Sequence, residues 1–152
     1  MSPTAKQSLG TRGEDHVAKT AHCPGCKRKE RTLRTLPPNF KCADVICDFC
    51  GYLLQVKTKS VKGPLPAECP KKILGAAWGP QKDRMDAGVY FSLFIVVEND
   101  AGKLVTFFLP RDLQTPEMFV ERKPLSPTAK RAGWTGFVID VSKALAPPVL
   151  LA

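Results

Sequence analysis

Two Cys-x-x-Cys motifs constrain the fold of this chain of 152 residues more than any other feature. Cys23 and Cys26 form the first motif, Cys47 and Cys50 form the second, and 20 residues separate the two. Each motif turns two sulfurs toward one point, and zinc takes four such ligands tetrahedrally. The pattern predicts a structural zinc site, closed to chemistry because all four ligands are thiolates. The competing interpretation, a redox dithiol, needs only one such motif.

The ends and apolar runs of the sequence give no indication of export or of a membrane span. The first 16 residues lack the apolar core of a signal peptide, and no run reaches the roughly 18 apolar residues of a spanning helix. We therefore expect a cytoplasmic protein with reduced thiols, which favours metal ligation over disulfides. Cys42 and Cys69 have no motif partner and are predicted to be packed thiols.

The charge balance points to a polyanionic partner. The sequence carries 23 Lys and Arg against 14 Asp and Glu, a formal charge of +9, and its pI is about 9.4. Basic proteins of this kind favour nucleic acid. A soluble basic protein without such a partner is the alternative that charge alone leaves open.

Hydrophobic patterning predicts a single α/β domain over residues 1–152. We expect a helix over residues 13–21, capped by Thr11, and a second starting at Pro127 with Ser126 as its cap. Strands are predicted over residues 40–46, 52–57, 89–97, 104–109 and 137–141. Residues 60–88 are expected to form a long connection with a short helix or turn near 71–77, and residues 110–120 a loop with a short helix. The tail, residues 146–152, is not expected to be structured on its own.

A second set of residues overlaps the second cysteine motif. Asp44 precedes Gln55 by 11 residues, and Lys57 follows two later on the same strand face. A hairpin at the cysteine motif would place Asp44 beside them. Asp44, the Gln55 side chain and the Val56 carbonyl are predicted Mg²⁺ ligands, with Lys57 orienting or activating a water and Lys59 meeting a phosphate. Alone the motif is weak, because exposed strands commonly carry Gln and Lys.

Two segments resemble a known family. DVICDFCGYLLQVKTK (residues 44–59) and EMFVERKPLSPTAKRAGWTGFVIDV (residues 117–141) resemble the PD-(D/E)XK nucleases, and more narrowly the DpnI-like, Dam-replacing family. The resemblance implies a mixed central sheet flanked by helices, with the zinc module on the catalytic hairpin. GEDHVA at residues 13–18 is similar to the first helix of such enzymes, which implies an active-site role for Glu14.

Two departures from the family pattern bear on activity. Gln55 stands where this family usually has glutamate. The lost carboxylate weakens the attraction for Mg²⁺ by up to about 4 kcal/mol at an effective dielectric of 20, before solvation reduces that figure. The chain is also expected to lack the C-terminal winged-helix domain that reads methylated adenine in DpnI-like enzymes.

The segment at residues 117–141 also holds the predicted DNA contacts. They are Arg122, Lys123, Lys130, Arg131 and Trp134. The cations suit phosphates, and the tryptophan could stack on a base. A solvated basic helix with a core tryptophan is the competing interpretation.

The sequence therefore predicts a Mg²⁺-dependent DNA endonuclease of restriction type, acting on double-stranded DNA and containing structural zinc. The first alternative is a catalytically weak or inactive DNA-binding module on a nuclease fold. The second is a zinc-ribbon adaptor that binds protein or RNA. Target sequence, methylation dependence and assembly as a homodimer are left open.

Overall fold

The computed structural model describes residues 4–40, 43–128 and 135–151, and structural statements below concern these residues. They form two helices of more than one turn, α1 (Ala5–Thr20) and α2 (Trp78–Asp86). The strands are β1 (Leu33–Thr35), β2 (Val45–Cys47), β3 (Leu53–Val61), β4 (Lys72–Gly75), β5 (Ser92–Asn99), β6 (Leu104–Leu109), β7 (Phe119–Glu121), β8 (Phe137–Asp140) and β9 (Val149–Leu150). Short 3-10 turns occupy Arg111–Leu113, Pro116–Met118 and Val141–Lys143.

The strands form a six-stranded mixed sheet and a smaller antiparallel sheet. The larger sheet has the order β1-β2-β3-β5-β6-β9, and the smaller one the order β4-β8-β7. β3 and β5 run parallel from the Leu54–Ser92 pair to the Val61–Asn99 pair, and the other neighbours in both sheets are antiparallel. The predicted mixed central sheet is thus confirmed.

Each face of the larger sheet packs against a different hydrophobic core. On one face, Val17 of α1 packs with Leu54, Val56, Phe94 and Val96. On the other face, alternate β5 residues pack with the smaller sheet, and the partly buried Trp78 and Met85 of α2 pack against that core. Because β5 is buried on both faces, its sequence SLFIVVEN is an almost continuous apolar run.

Helix α1 begins eight residues before the predicted start. Thr4, not Thr11, is its N-cap, and the side chains of Thr4 and Gln7 exchange hydrogen bonds with each other's backbone N–H. Gly13 allows the helix to approach β3 closely, since a Cβ there would lie 1.9 Å from Thr58 Oγ1. Thr11, the predicted cap, is therefore inside the helix.

The predicted connection over residues 60–88 is wrong in detail. Residues 72–75 form β4, which pairs with β8 and buries Ile73, and the helix lies downstream as α2. The tail is ordered by pairing with the sheet, because β9 pairs with Phe107 and Phe108 at the edge of the larger sheet. These strands are short and gain their stability from pairing partners distant in sequence, so local patterning does not reveal them.

Three other predicted elements differ in extent. The strand expected over residues 40–46 is confined to Val45–Cys47, and β1, which pairs with it, had not been predicted. The strand expected over residues 52–57 continues to Val61. Of the helix expected from Pro127, only Pro127 and Thr128 are described, and they form a turn; residues 129–134 lie outside the described part of the chain.

Candidate metal centre and active site

The four motif cysteines come together at one end of the β2–β3 hairpin. The sulfurs of Cys23, Cys26, Cys47 and Cys50 all lie within 4.8 Å of one another, and the Cys23 and Cys50 sulfurs are 3.6 Å apart. Tetrahedral zinc with bonds near 2.3 Å would separate its sulfurs by about 3.8 Å. The cluster therefore fits the predicted zinc site.

The surroundings of the sulfurs differ: hydrogen bonds favour the thiolate of Cys47, whereas burial raises the pKa of the Cys23 thiol. The backbone N–H groups of Gly25 and Cys50 donate to the sulfurs of Cys23 and Cys47, at 3.2 and 3.4 Å. The Thr32 hydroxyl lies 3.0 Å from the Cys47 sulfur. Burial raises the pKa of Cys47, but the hydrogen bonds from Thr32 and the backbone outweigh it and lower that pKa to about 6. Deprotonated sulfur is the form that binds zinc.

The same hairpin fixes the position of Asp44. The Asp44 N–H donates to the Leu54 carbonyl at 2.9 Å, and the Leu36 N–H donates to the Asp44 carbonyl at 2.9 Å. The Asp44 carboxylate accepts a hydrogen bond from the Val56 N–H at 2.8 Å. This carboxylate is thus held at the edge of β3 where the pairing with β2 ends.

The Val56 carbonyl shares that edge. In a strand the N–H and C=O of one residue point to the same side, as the paired exchange of hydrogen bonds in antiparallel ladders requires. Because the Val56 N–H reaches Asp44, the Val56 carbonyl lies on the Asp44 side of β3 as well. The Asp44 carboxylate and the Val56 carbonyl, two of the three predicted Mg²⁺ ligands, therefore lie on the same side of β3, and such oxygens are the type that Mg²⁺ prefers.

The face of β3 opposite α1 carries Gln55, Lys57 and Lys59, which occupy every second position of the strand. Gln55 is partly buried, and its side chain is an amide where a second acid was expected in such a site. The Lys57 ammonium lies 5.9 Å from the centre of the Phe137 ring. Lys59 Nζ donates to the Lys72 carbonyl at 2.8 Å, so this ammonium is engaged with β4.

Glu14, Asp44 and Lys57 interact electrostatically. Burial, followed by the negative charges of Asp44 and Asp15, raises the pKa of Glu14 to about 7, while Lys57 opposes this rise. Burial likewise lowers the pKa of Lys57, while Asp44 and Glu14 raise it. A carboxyl group held near another acid and resisting ionisation is typical of a site that binds a cation.

Sequence reasoning missed one charged neighbour of this site. Arg84, on α2, lowers the pKa of Lys57 by the proximity of its positive charge. The guanidinium of Arg84 donates to the Gln81 side chain at 3.3 Å. Arg84 belongs to a segment expected to be a connection, so no local motif identified it.

The predicted DNA contacts are only partly within the described residues. Arg122 and Lys123 are exposed just after β7, where the Arg122 N–H donates to the Gly136 carbonyl at 3.0 Å. Lys130, Arg131 and Trp134 fall outside the described part of the chain. No described helix is both long and apolar enough to cross a membrane.

A mixed sheet whose hairpin brings an acid beside a Gln-x-Lys strand is consistent with the PD-(D/E)XK class of nucleases. The family model described as DpnI, Dam-replacing family, matches residues 4–147. The chain belongs to this family. Membership indicates a restriction-type nuclease related to methylation-directed cleavage, with DNA as its substrate.

Proposed function

We propose that this protein is a Mg²⁺-dependent endonuclease of restriction type that hydrolyses phosphodiester bonds in double-stranded DNA. The observation that carries the proposal is the fixed Asp44 carboxylate, hydrogen-bonded to the Val56 N–H and electrostatically coupled to Glu14 and Lys57. The two cores share one sheet, which supports treating residues 1–152 as one nuclease domain.

The oxygens of Asp44, Gln55 and Val56 would hold the metal. When bound, Mg²⁺ would lower the pKa of a coordinated water and offset charge on the scissile phosphate. Asp44 is prepared for this role because its carboxylate is oriented by a backbone hydrogen bond and retains lone pairs beyond the one used. Glu14 would add negative charge to the site once it ionises.

Lys57 would act on the attacking water. Its lowered pKa increases the fraction of neutral amine that can accept a proton from that water, and its ammonium form would balance charge developing on the phosphate. The positive charge of Arg84 would lower the stability of the Lys57 ammonium until the negative charge of DNA is present. Lys59, Arg122, Lys123, Lys130, Arg131 and Trp134 remain proposed DNA contacts.

Cleavage assays on purified protein test the assignment. With Mg²⁺ present, wild type should cut plasmid DNA, whereas Asp44→Asn and Lys57→Met should each lower the rate by at least about 100-fold. Asp86→Asn and Lys82→Met are matched controls, because this exposed pair on α2 lies outside the site and its loss should leave cutting unchanged. Equal cutting by wild type and Asp44→Asn would refute the site.

The family also supports cleavage directed by methylated adenine. Matched plasmids with and without adenine methylation, cut under identical conditions, measure that preference. The ratio of nicked to linear product over time shows whether two active sites act together, as in a homodimer, or one acts on each strand in turn.

A second candidate function is a DNA-binding module with little activity, favoured by the amide at Gln55. Gln55→Glu separates the two, because a carboxylate strengthens attraction for Mg²⁺. In an active enzyme we expect the variant to need less Mg²⁺ for half-maximal cutting, with a similar rate at saturation. A variant that cuts while wild type is inert would establish the second candidate.

A further inference from the structure

Residues 27–34, here called the basic loop, carry a concentration of positive charge that the nuclease site does not use. The sequence KRKERTLR contains five basic residues and one acid, a net charge of +4. The basic residues are all exposed: Lys27, Arg28, Lys29, Arg31 and Arg34. Like charges this close repel one another unless an anion lies between them.

The basic loop is anchored at both ends. Cys26 belongs to the sulfur cluster and immediately precedes it. At the other end the Thr32 carbonyl accepts from the Asp48 N–H at 2.8 Å, and β1 pairs with β2. The backbone that carries the charges is therefore held in place, which limits the backbone ordering entropy lost when a partner binds.

Only some of these cations have partners. Arg28 lies 4.4 Å over the Phe49 ring, which is 60% exposed, and also pairs with Glu30 at 3.1 Å. Arg34 pairs with Asp48 at 3.1 Å. Within the described part of the chain, no ion pair or side-chain hydrogen bond engages Lys27, Lys29 or Arg31. These three are available to an external anion.

The competing explanation is that the basic residues balance the negative charge of the zinc site, since zinc with four thiolates carries a net charge of −2. The hydrogen bonds to the sulfurs, however, come from backbone N–H groups and from Thr32. An open groove of about 320 Å³ also lies beside the first cysteine motif, lined by His22, Cys23, Cys26, Lys27, Arg28 and Lys29. Its lysines line open space and thus suit an external ligand.

Only the short strand β2 separates the sulfur cluster, which anchors the basic loop, from Asp44 at the proposed cleavage site. Asp44 and Cys47 sit at opposite ends of β2, and three residues of strand span about 10 Å. A duplex presents one negative charge per roughly 1.7 Å of its axis, so the same DNA can reach both. Lys and Arg without base-reading geometry bind phosphates and position the duplex.

We propose that the basic loop on the zinc module is a phosphate-backbone contact that positions the duplex for cleavage at Asp44. The inference rests on the proposed function, which it extends by assigning the zinc module a part in DNA binding. Lys27, Lys29 and Arg31 supply the contacts, and the stacked Arg28 holds the loop against the second cysteine motif. The contact is independent of base sequence.

The test is DNA binding as a function of salt. The triple variant Lys27→Gln, Lys29→Gln, Arg31→Gln is compared with wild type on a fluorescein-labelled duplex, with Ca²⁺ replacing Mg²⁺ to prevent cutting. Each lost phosphate contact should reduce the magnitude of the slope of log affinity against log salt by about 0.9, which is about 2.7 for all three. The affinity for the duplex near 0.1 M salt should fall tenfold or more, about the effect of losing three phosphate contacts. With Mg²⁺, KM should rise while kcat at saturating DNA stays unchanged.

The matched control removes three exposed lysines elsewhere, as Lys19→Gln, Lys62→Gln, Lys103→Gln. It should leave the salt slope unchanged; an equal fall would overturn the inference, because net charge alone would explain it. An unchanged slope in the basic-loop variant, while wild type binds and cuts, would also overturn it. Loss of zinc from that variant would show instead that the loop serves the thiolates. If wild type neither binds nor cuts DNA, the proposed function itself has failed.

Discussion

Glu14 shows at the scale of one residue how α1 takes part in the site. Its carboxyl is partly buried and faces Asp44, so ionisation costs free energy that Lys57 only partly returns. The raised pKa places the loss of its proton near neutral pH. Binding of a divalent cation and loss of this proton are therefore linked.

Glu14→Gln should change how stability depends on pH. The folded-state pKa lies above the ordinary value of 4.5, so the wild-type contribution is complete below about pH 4.5 and is lost as pH rises to about 7. Solvent screening at this partly exposed group reduces the effect, and we expect the variant to be about 1–2 kcal/mol more stable relative to wild type at pH 8 than at pH 4. Urea unfolding without Mg²⁺ at both pH values measures this. An equal difference in unfolding free energy between variant and wild type at both pH values would contradict the assigned pKa.

The contact between α1 and β3 is the element-scale feature that positions Glu14. Gly13 faces Thr58, whose hydroxyl is buried without a hydrogen-bond partner in the described residues. The two elements approach so closely that neither a Cβ nor a water fits between them. This approach holds Glu14 next to the strand that carries Lys57.

Gly13→Ala should destabilise the protein, because the new Cβ would lie 1.9 Å from Thr58 Oγ1 and α1 must shift. We expect a loss of about 1–3 kcal/mol. Gly10→Ala is the matched control on the same helix: nothing lies within 4 Å of its Cβ position, so helix propensity should stabilise it by about 0.5–1 kcal/mol. Thermal unfolding compares the two variants. Equal shifts in melting temperature would show that the close approach of α1 to β3 is unimportant for stability.

The elements differ in how far the sequence predicts them. The β6 bounds were predicted correctly, and β5 within three residues, because a turn at Asn99–Gly102 separates two apolar runs. α2 and β4 lie in a segment with four prolines, and their support comes from packing on distant strands. Likewise the cysteine spacing predicted the sulfur cluster, whereas Arg84 reaches Lys57 only through the tertiary fold.

At the scale of the whole molecule the zinc cluster belongs to one of the two cores. Cys23 and Cys47 are buried members of the core that includes α1. Metal binding to such a site contributes on the order of 10 kcal/mol, comparable with the 5–15 kcal/mol stability of a typical domain. We therefore expect the geometry of the β2–β3 hairpin to depend on metal at the sulfur cluster.

Cys26→Ser should release zinc and abolish cooperative unfolding, as a strong zinc chelator should in wild type. Cys69→Ser is the matched control, since Cys69 lies outside the cluster and its thiol donates to the Pro70 carbonyl at 3.5 Å. That variant should keep zinc and lose less than about 1.5 kcal/mol. Metal analysis with urea unfolding measures both, and retained cooperativity in Cys26→Ser would refute the structural role.

The parallel pairing of β3 with β5 has a consequence for the order of folding. The β2–β3 hairpin beside the sulfur cluster joins residues near one another in sequence. β3 and β5, in contrast, are linked by residues 62–91, and that long loop must close before their ladder forms. Contacts of high sequence separation form late, so a nascent chain can acquire its zinc while Lys57 still lacks its neighbouring strand. We therefore expect Lys57 to reach its final position beside β5 late in folding, after the sulfur cluster has formed.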